Sequence, residues 1–306
     1  MKLMFHTPLL KLSPPFGFFP LVVAACRIFT PTNLRNIKSR ITFITKGIIY
    51  RSRVTSALEP SSRAVLFSRI QDDPLFLGFF VWPYINCEND IATRFKLIAK
   101  HQQIVATHFP WLNMPKNQQQ TVATLGHLHD GLYFAVEHAP WFIREGGLNF
   151  SLFLDSTRLM TVSFSFDMAG TGLFVYVGAL QGSATTPQET YKAIADACCD
   201  LRPRDLTFKA FRIFLQSIGV AHLRCIADDY RVMHHQYFGA QKAQIVAMRY
   251  DELWADQGGV LSPDGYYEMT AFMPERPISE VPQKKRGRYK RRLEMFEALG
   301  LQMQRH

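Results

Sequence analysis

Few residues in this chain stand in combinations able to do chemistry, and the first is Arg144-Glu145-Gly146. The triplet lies at the entrance to an alternating strand. There a carboxyl partly withdrawn from water would rise toward neutrality and serve as general base on an amine. The same pair also fits a surface hairpin salt bridge. Gln181 and Gly182 end a nearly all-apolar strand. The end of a strand often opens into a cleft, where Gln181 could orient an amide or carbonyl; a turn residue bonding its own backbone is the other reading. Arg202 and Arg204 flank Pro203 at the start of a helix, where unpaired amides and the positive dipole end favour a phosphate or pyrophosphate. Either arginine could instead pair with Asp200 or Asp205 and fix the turn.

Other chemistries find less support. Among the ten histidines, His101 and His108 are seven apart, His127 and His129 alternate across a strand, and His234-His235 point different ways on a helix. No HExxH occurs, so no metal is expected. The five cysteines, Cys26, Cys87, Cys198, Cys199 and Cys225, are odd in number and lack a Cys-x-x-Cys, which favours a reducing compartment and ordinary buried thiols. Gly-x-Ser-x-Gly, Walker A and a strand-to-helix Gly-x-Gly-x-x-Gly are all missing. Tyr250 and Trp254, four apart on a helix, read first as packing partners.

These residues need a scaffold, and the chain of 306 residues can build one: 47% are hydrophobic and only 20% charged. That excludes wholesale disorder and a disulfide-stapled mini-domain. Residues 59–125 read as a helical subdomain, with Asn89 capping a helix that carries Ile91, Phe95, Ile98 and Val105 on one face. Residues 126–275 change period. Met160, Val162, Phe164, Phe166 and Met168 alternate with Thr161, Ser163, Ser165 and Asp167, which predicts a strand with one wet face. With Gly131 to His138, Leu148 to Leu154 and Leu173 to Leu180 this makes a four-stranded antiparallel meander. Helices over 187–199 and 204–218, a strand at Val220 to Ala227, mostly helix over 233–256 and a strand at Tyr266 to Met273 complete an α+β core around an antiparallel central sheet.

Charge is placed at the ends. Residues 1–58, whose order is left open, carry nine Lys/Arg and no acid; residues 276–306 carry nine against three; the middle holds 17 bases and 22 acids. Lys284, Lys285, Arg286, Arg288, Lys290, Arg291 and Arg292 put seven bases in nine residues, ahead of a short amphipathic helix with Leu293, Phe296, Leu299 and Leu301. The cluster is either a solvated helix face or a docking surface for an anionic leaflet. Nucleic acid is disfavoured, because the body is acidic and the usual binding signatures are missing. No run of about 18 apolar residues predicts a spanning helix. Val23-Ala24-Ala25-Cys26 matches the pattern before a lipidated cysteine, but the prolines and Lys around it make a poor signal segment.

The landmarks also stand in a familiar order. Arg144-Glu145-Gly146, Val177 to Gly182, Leu201-Arg202-Pro203-Arg204-Asp205-Leu206, Tyr250 to Trp254 with Gly258-Gly259, and Lys284-Lys285-Arg286 with Tyr289-x-x-Arg292 together resemble the VirK/YbjX family over roughly residues 60–300. The resemblance implies a setting in Gram-negative envelope biology: surface localisation of virulence proteins and resistance to cationic antimicrobial peptides. It implies no reaction, since that family's domain is of unknown function. Asp200 stands where the family usually has glycine, and either His234 or His235 could match its histidine.

The order of elements is similar to an acyl-coenzyme-A N-acyltransferase-like fold, though an extra helix replaces the usual pyrophosphate loop. On that analogy acyl-coenzyme A is the donor, Gln181, Gly182, Arg202 and Arg204 line its site, Glu145 is the base, and Tyr250 protonates the thiolate. The competing expectation is a non-catalytic envelope-assembly factor binding anionic lipid or a client protein. Both place the chain in the bacterial cytoplasm, held at the inner membrane by its basic ends.

Overall fold

The computed structural model describes residues 16–29, 34–170, 172–239 and 249–305. Eight strands form one sheet: β1 (Gln119–Thr124), β2 (Leu132–Glu137), β3 (Leu148–Leu154), β4 (Thr157–Ala169), β5 (Gly172–Gly182), β6 (His222–Ile226), β7 (Val260–Leu261) and β8 (Tyr266–Thr270). Their order is β1-β2-β3-β4-β5-β6-β8-β7. Only β5 and β6 are parallel; every other neighbouring pair is antiparallel. The meander therefore has five strands, because β1 adds to the four read from the sequence.

A parallel pair needs a crossover. Here α5 (Gln188–Ala197) and α6 (Pro203–Ser217) supply it, and α6 lays Phe211 and Phe214 on Phe150 and Phe164 of the sheet's apolar face. The opposite face of β4 is not wet. Thr161, Ser163 and Ser165 are almost fully buried, and hydrogen bonds satisfy them: Ser163 donates to Asn149 at 2.9 Å, and Ser165 lies 2.6 Å from the Tyr84 hydroxyl. Alternation reports which side chains share a face, and it is silent on what covers that face.

Among the described residues four α-helices precede the sheet: α1 (Phe18–Ile28), α2 (Leu34–Ala57), α3 (Pro60–Asp72) and α4 (Ile91–His108). Aromatic edges join them, with Phe16 against Phe67, Phe80 and Phe95, and Phe43 against Phe29 and Phe80. Much of the basic segment 1–58 is thus helical and packed. Asp90 caps α4, not Asn89: its carboxylate accepts from Thr93 N–H at 2.8 Å, while Asn89 donates its side-chain amide to the Tyr84 carbonyl. Phe109, just past α4, stacks on Phe166 and ties the helices to β4.

Past β6, among the described residues of 233–256, the helical expectation holds for α7 (Tyr250–Asp256). Val232–His234 is a single 3-10 turn, and residues 240–248 lie outside the described residues. The turn predicted around Thr171 likewise centres on a residue outside them. His127 and His129 sit in the turn between β1 and β2 instead of on a strand. The C-terminal helix, α8 (Gln283–Met303), begins ten residues before the expected one. It buries Met295, Leu299 and Met303 and leaves Leu301 exposed. Its Gln302 pairs with both backbone groups of Thr124, as a neighbouring strand would.

Candidate functional site

The site begins with a defect in strand pairing. Ser163 pairs with Ala179 and Phe164 with Val177, so Gly178 is an extra residue, a β-bulge in β5. The bulge lets the Arg144–Gly146 turn press against the sheet. A Cβ on Gly178 would stand 2.0 Å from the Glu145 carbonyl oxygen, and one on Gly146 would stand 2.4 Å from Phe164 N. Only glycine permits either approach.

Beyond the bulge β5 and β6 part. Their last paired residues are Val177 and Cys225. Helix α7 fills the gap and satisfies both strands. The Tyr250 hydroxyl accepts from Leu180 N–H at 2.9 Å and donates to Leu180 O at 3.0 Å, while Trp254 Nε1 donates to Ile226 O at 2.8 Å. The Asp228 carboxylate caps this helix by accepting from the backbone of Tyr250 and Asp251. Arg231 pairs with Asp228 at 3.3 Å and lays its guanidinium 3.9 Å above the Tyr250 ring.

Glu145 lies at the mouth of this wedge. Burial pushes its carboxyl up to about 7, opposed by a hydrogen bond with Gln181 and by the positive charges of Arg144 and Arg231. The residue is only half-buried as a whole, so it is lodged deep yet keeps some surface toward solvent. Arg144 is fixed by aromatic faces, 4.7 Å from the Trp82 ring centre and 5.5 Å from that of Tyr237. Gln181 ends a polar row across the sheet, since Ser151 pairs with Thr161 and Thr161 with Gln181. Ser151 donates to Glu137 at 2.6 Å and Arg158 Nε donates to the same oxygen at 2.7 Å, which anchors the far end.

The structure thus brings Glu145, Gln181 and Tyr250 together. Burial raises Tyr250 to about 12, and its hydroxyl is committed to Leu180. It shapes the wedge more than it offers a proton. Gly182 is at the exposed strand end, beside Tyr191, whose hydroxyl fastens Ser183 and Leu159.

Arg202 and Arg204 stand apart from this cluster. Arg204 pairs with Asp205 at 3.1 Å, Arg202 is exposed, and neither borders any of the main cavities. Part of the basic cluster is tied to the turn before α6: Arg288 pairs with Asp200, and Arg292 donates to Cys199 O at 2.8 Å. Arg286 donates to Val281 O. Lys284, Lys285, Lys290 and Arg291 have no ion pair among the described residues. Asp200 adopts φ 58, a left-handed conformation that glycine takes most easily, and its side chain serves instead as the acceptor for Arg288.

Arg231, Asp228, Trp82 and Tyr237 escaped the sequence reading. Asp228 and Arg231 follow directly on the end of β6, a placement that could have drawn attention to them. Of the two neighbouring histidines, His235 is turned inward and His234 outward. Among the described residues no group of three or more His, Cys, Asp or Glu is arranged to hold a metal ion, and no helix is long and apolar enough to cross a membrane.

Comparison with known proteins places this architecture. The model of a family described as a protein of unknown function, DUF535, matches residues 32–305. The chain is 28% identical over 130 residues to "Uncharacterized protein YbjX" of Escherichia coli (strain K12), a match covering 42% of this chain and 39% of that protein. No solved structure matches.

Proposed function

We propose, because the chain belongs to the VirK/YbjX family of unknown function, DUF535, and carries a desolvated carboxyl beside a parted strand pair, that it is an acyl-transfer enzyme of the Gram-negative envelope with Glu145 as general base. The observation that carries this reading is Glu145 itself, a carboxyl near neutrality held by Gln181 at the bulge of β5. A general base works best when its pKa lies near the working pH. Four antiparallel pairs, a bulge, and then a single parallel pair that parts are also features an acyl-coenzyme-A N-acyltransferase-like sheet would have. The reaction balances simply. An acceptor amine gives a proton to Glu145, its nitrogen bonds the thioester carbonyl carbon, the C–S bond breaks, and the thiol leaves with the proton that Glu145 releases. The Arg204–Asp205 pair means that the Arg202 to Asp205 turn adds no support for a phosphate-bearing donor there.

Thermal shift and thiol release with a panel of coenzyme A thioesters and amine acceptors test the reading. Turnover should rise with pH through about 7, and Glu145→Gln should lower it by at least about 100-fold while thioester binding persists. The reading fails if no thioester shifts the melting temperature or releases thiol, or if the variant turns over at the wild-type rate.

One observation favours a second reading, that of an envelope factor bound to anionic lipid at the inner face of the inner membrane. Phe18, Phe19, Ile37, Ile41, Ile48 and Ile49 are exposed on α1 and α2, helices that carry bases and no acid. Such a surface suits a helix pair lying in a lipid interface. Salt-sensitive pelleting with anionic vesicles, with no response to any thioester, would select it.

A further inference from the structure

A second site lies around Arg94, which donates to the backbone carbonyl of Trp82. A cavity of about 210 Å³ opens between α2, the start of α4 and the turn after β6, lined by Lys46, Tyr50, Arg53, Asp90, Arg94 and His235. Three of these are permanent or near-permanent cations, opposed by one carboxylate. That carboxylate is already spent, since Asp90 pairs with Arg53 at 2.6 Å and caps α4 through Thr93.

Arg94 is only 5% exposed, and among the described residues no carboxylate bonds it. It donates to Asn89 O at 2.8 Å and Trp82 O at 3.0 Å, and its Nη2 lies 3.0 Å from His235 Nε2. The last contact is the informative one. Tyr237 N–H donates to His235 Nδ1 at 3.1 Å, so a neutral ring with that bond carries its proton on Nε2. Burial and the charges of Arg94 and Lys46 keep the ring neutral, lowering it to about 4. In that tautomer Nε2–H and Arg94 Nη2–H are two donors at contact distance, and among the described residues no acceptor bonds both. Moving the proton to Nδ1 only transfers the conflict to Tyr237 N–H. An acceptor standing in the cavity in front of both donors removes it.

Lys46 points to the sign of that acceptor. It has no ion pair among the described residues, and burial together with repulsion from Arg94 lowers its pKa. We propose that this cavity binds a phosphate-type oxyanion, received by Lys46, Arg94 and His235 Nε2–H, with Arg53 at the rim. A doubly charged group matches the surplus of three cations over one carboxylate, and the volume admits a phosphate with a short substituent. The same headgroup chemistry could arrive on a soluble phosphomonoester or on a lipid. The exposed Ile49 of α2, three residues from Lys46 and so on an adjoining part of the helix surface, gives the lipid an apolar surface on which to arrive.

The experiment is isothermal titration and thermal shift of the full chain with inorganic phosphate, glycerol phosphate and dihexanoyl phosphatidic acid, against chloride at matched ionic strength. Phosphate should bind and stabilise. Lys46→Met on α2 and His235→Leu on the opposite wall should each weaken binding about tenfold or more, the effect of losing one charge-assisted donor. Two variants on separate elements keep the test decisive if one folds poorly. Tighter binding of the phosphatidic acid than of glycerol phosphate assigns the lipid source, and the reverse assigns a soluble ligand; either supports the site. Stabilisation that chloride reproduces, or affinity unchanged in both variants, overturns it.

Discussion

Replacing Glu145 by glutamine should stabilise the protein at alkaline pH, and the size of the effect follows from its surroundings. The native carboxyl titrates near 7 and an ordinary glutamic acid near 4.5. Between those values the folded state holds a proton that the unfolded state has lost, so stability falls as pH rises. The fall is complete above about 7, and 2.5 pKa units at 1.36 kcal/mol each make it about 3 kcal/mol. Glutamine keeps the shape and a hydrogen bond to Gln181 but cannot ionise. The variant should therefore exceed wild type by about 3 kcal/mol at pH 8 and by only about 1 kcal/mol at pH 5, where just the unfolded chain has begun to ionise. Urea unfolding at the two pH values measures both gaps. Equal gaps, or a variant less stable than wild type at pH 8, would refute a desolvated carboxyl and with it the assignment of the base.

Two further substitutions probe the wedge and the bulge. Tyr250→Phe removes the hydroxyl that serves both backbone groups of Leu180, and should cost about 1–3 kcal/mol in urea unfolding; a loss below about 0.5 kcal/mol would mean that water replaces it freely. Gly178→Ala places a methyl where the Glu145 carbonyl stands, so it should cost at least about 1–3 kcal/mol and displace the Arg144–Gly146 turn. Wild-type stability in that variant would show the close approach to be absent.

The parts of this fold that could be read from the sequence were those with strong periodicity. The alternation of Met160 to Met168 and the apolar run of Leu173 to Leu180 locate β4 and β5, and the Pro203 to Gly219 interval locates α6. Glu145 could be read as a candidate because its neighbours mark a strand entrance, but the depth of its burial could not, since that depends on the bulge at Gly178. Partnering across distance was equally hidden. Nothing near Tyr250 in the chain reveals that its hydroxyl serves Leu180, and nothing near Arg94 shows that it meets His235, 141 residues away. The choice of Asp90 over Asn89 as cap turns on which of two adjacent polar side chains the helix axis brings within reach of Thr93 N–H, and composition does not record it.

The polar row across the sheet bears on how Gln181 is held beside Glu145 in the proposed site. A core made of Ser151, Thr161, Ser163 and Asn149 gains little hydrophobic stabilisation and requires every hydroxyl and amide to find a partner. The opposite face of the same strands meets α6 with phenylalanines and pays no such cost. Two faces of one strand, packed by one chain, therefore follow different chemistries. Stability alone would favour the apolar solution on both. The row ends at Gln181 against Glu145, where a polar floor would hold an incoming carbonyl or amide in register with the carboxyl. Thr161→Val, which keeps volume and removes the hydroxyl, separates the two roles. A row that serves packing would show its effect in unfolding free energy at every pH. One that serves the site would leave stability within about 1 kcal/mol and move the pH at which Glu145 titrates, read from the pH dependence of unfolding against Glu145→Gln.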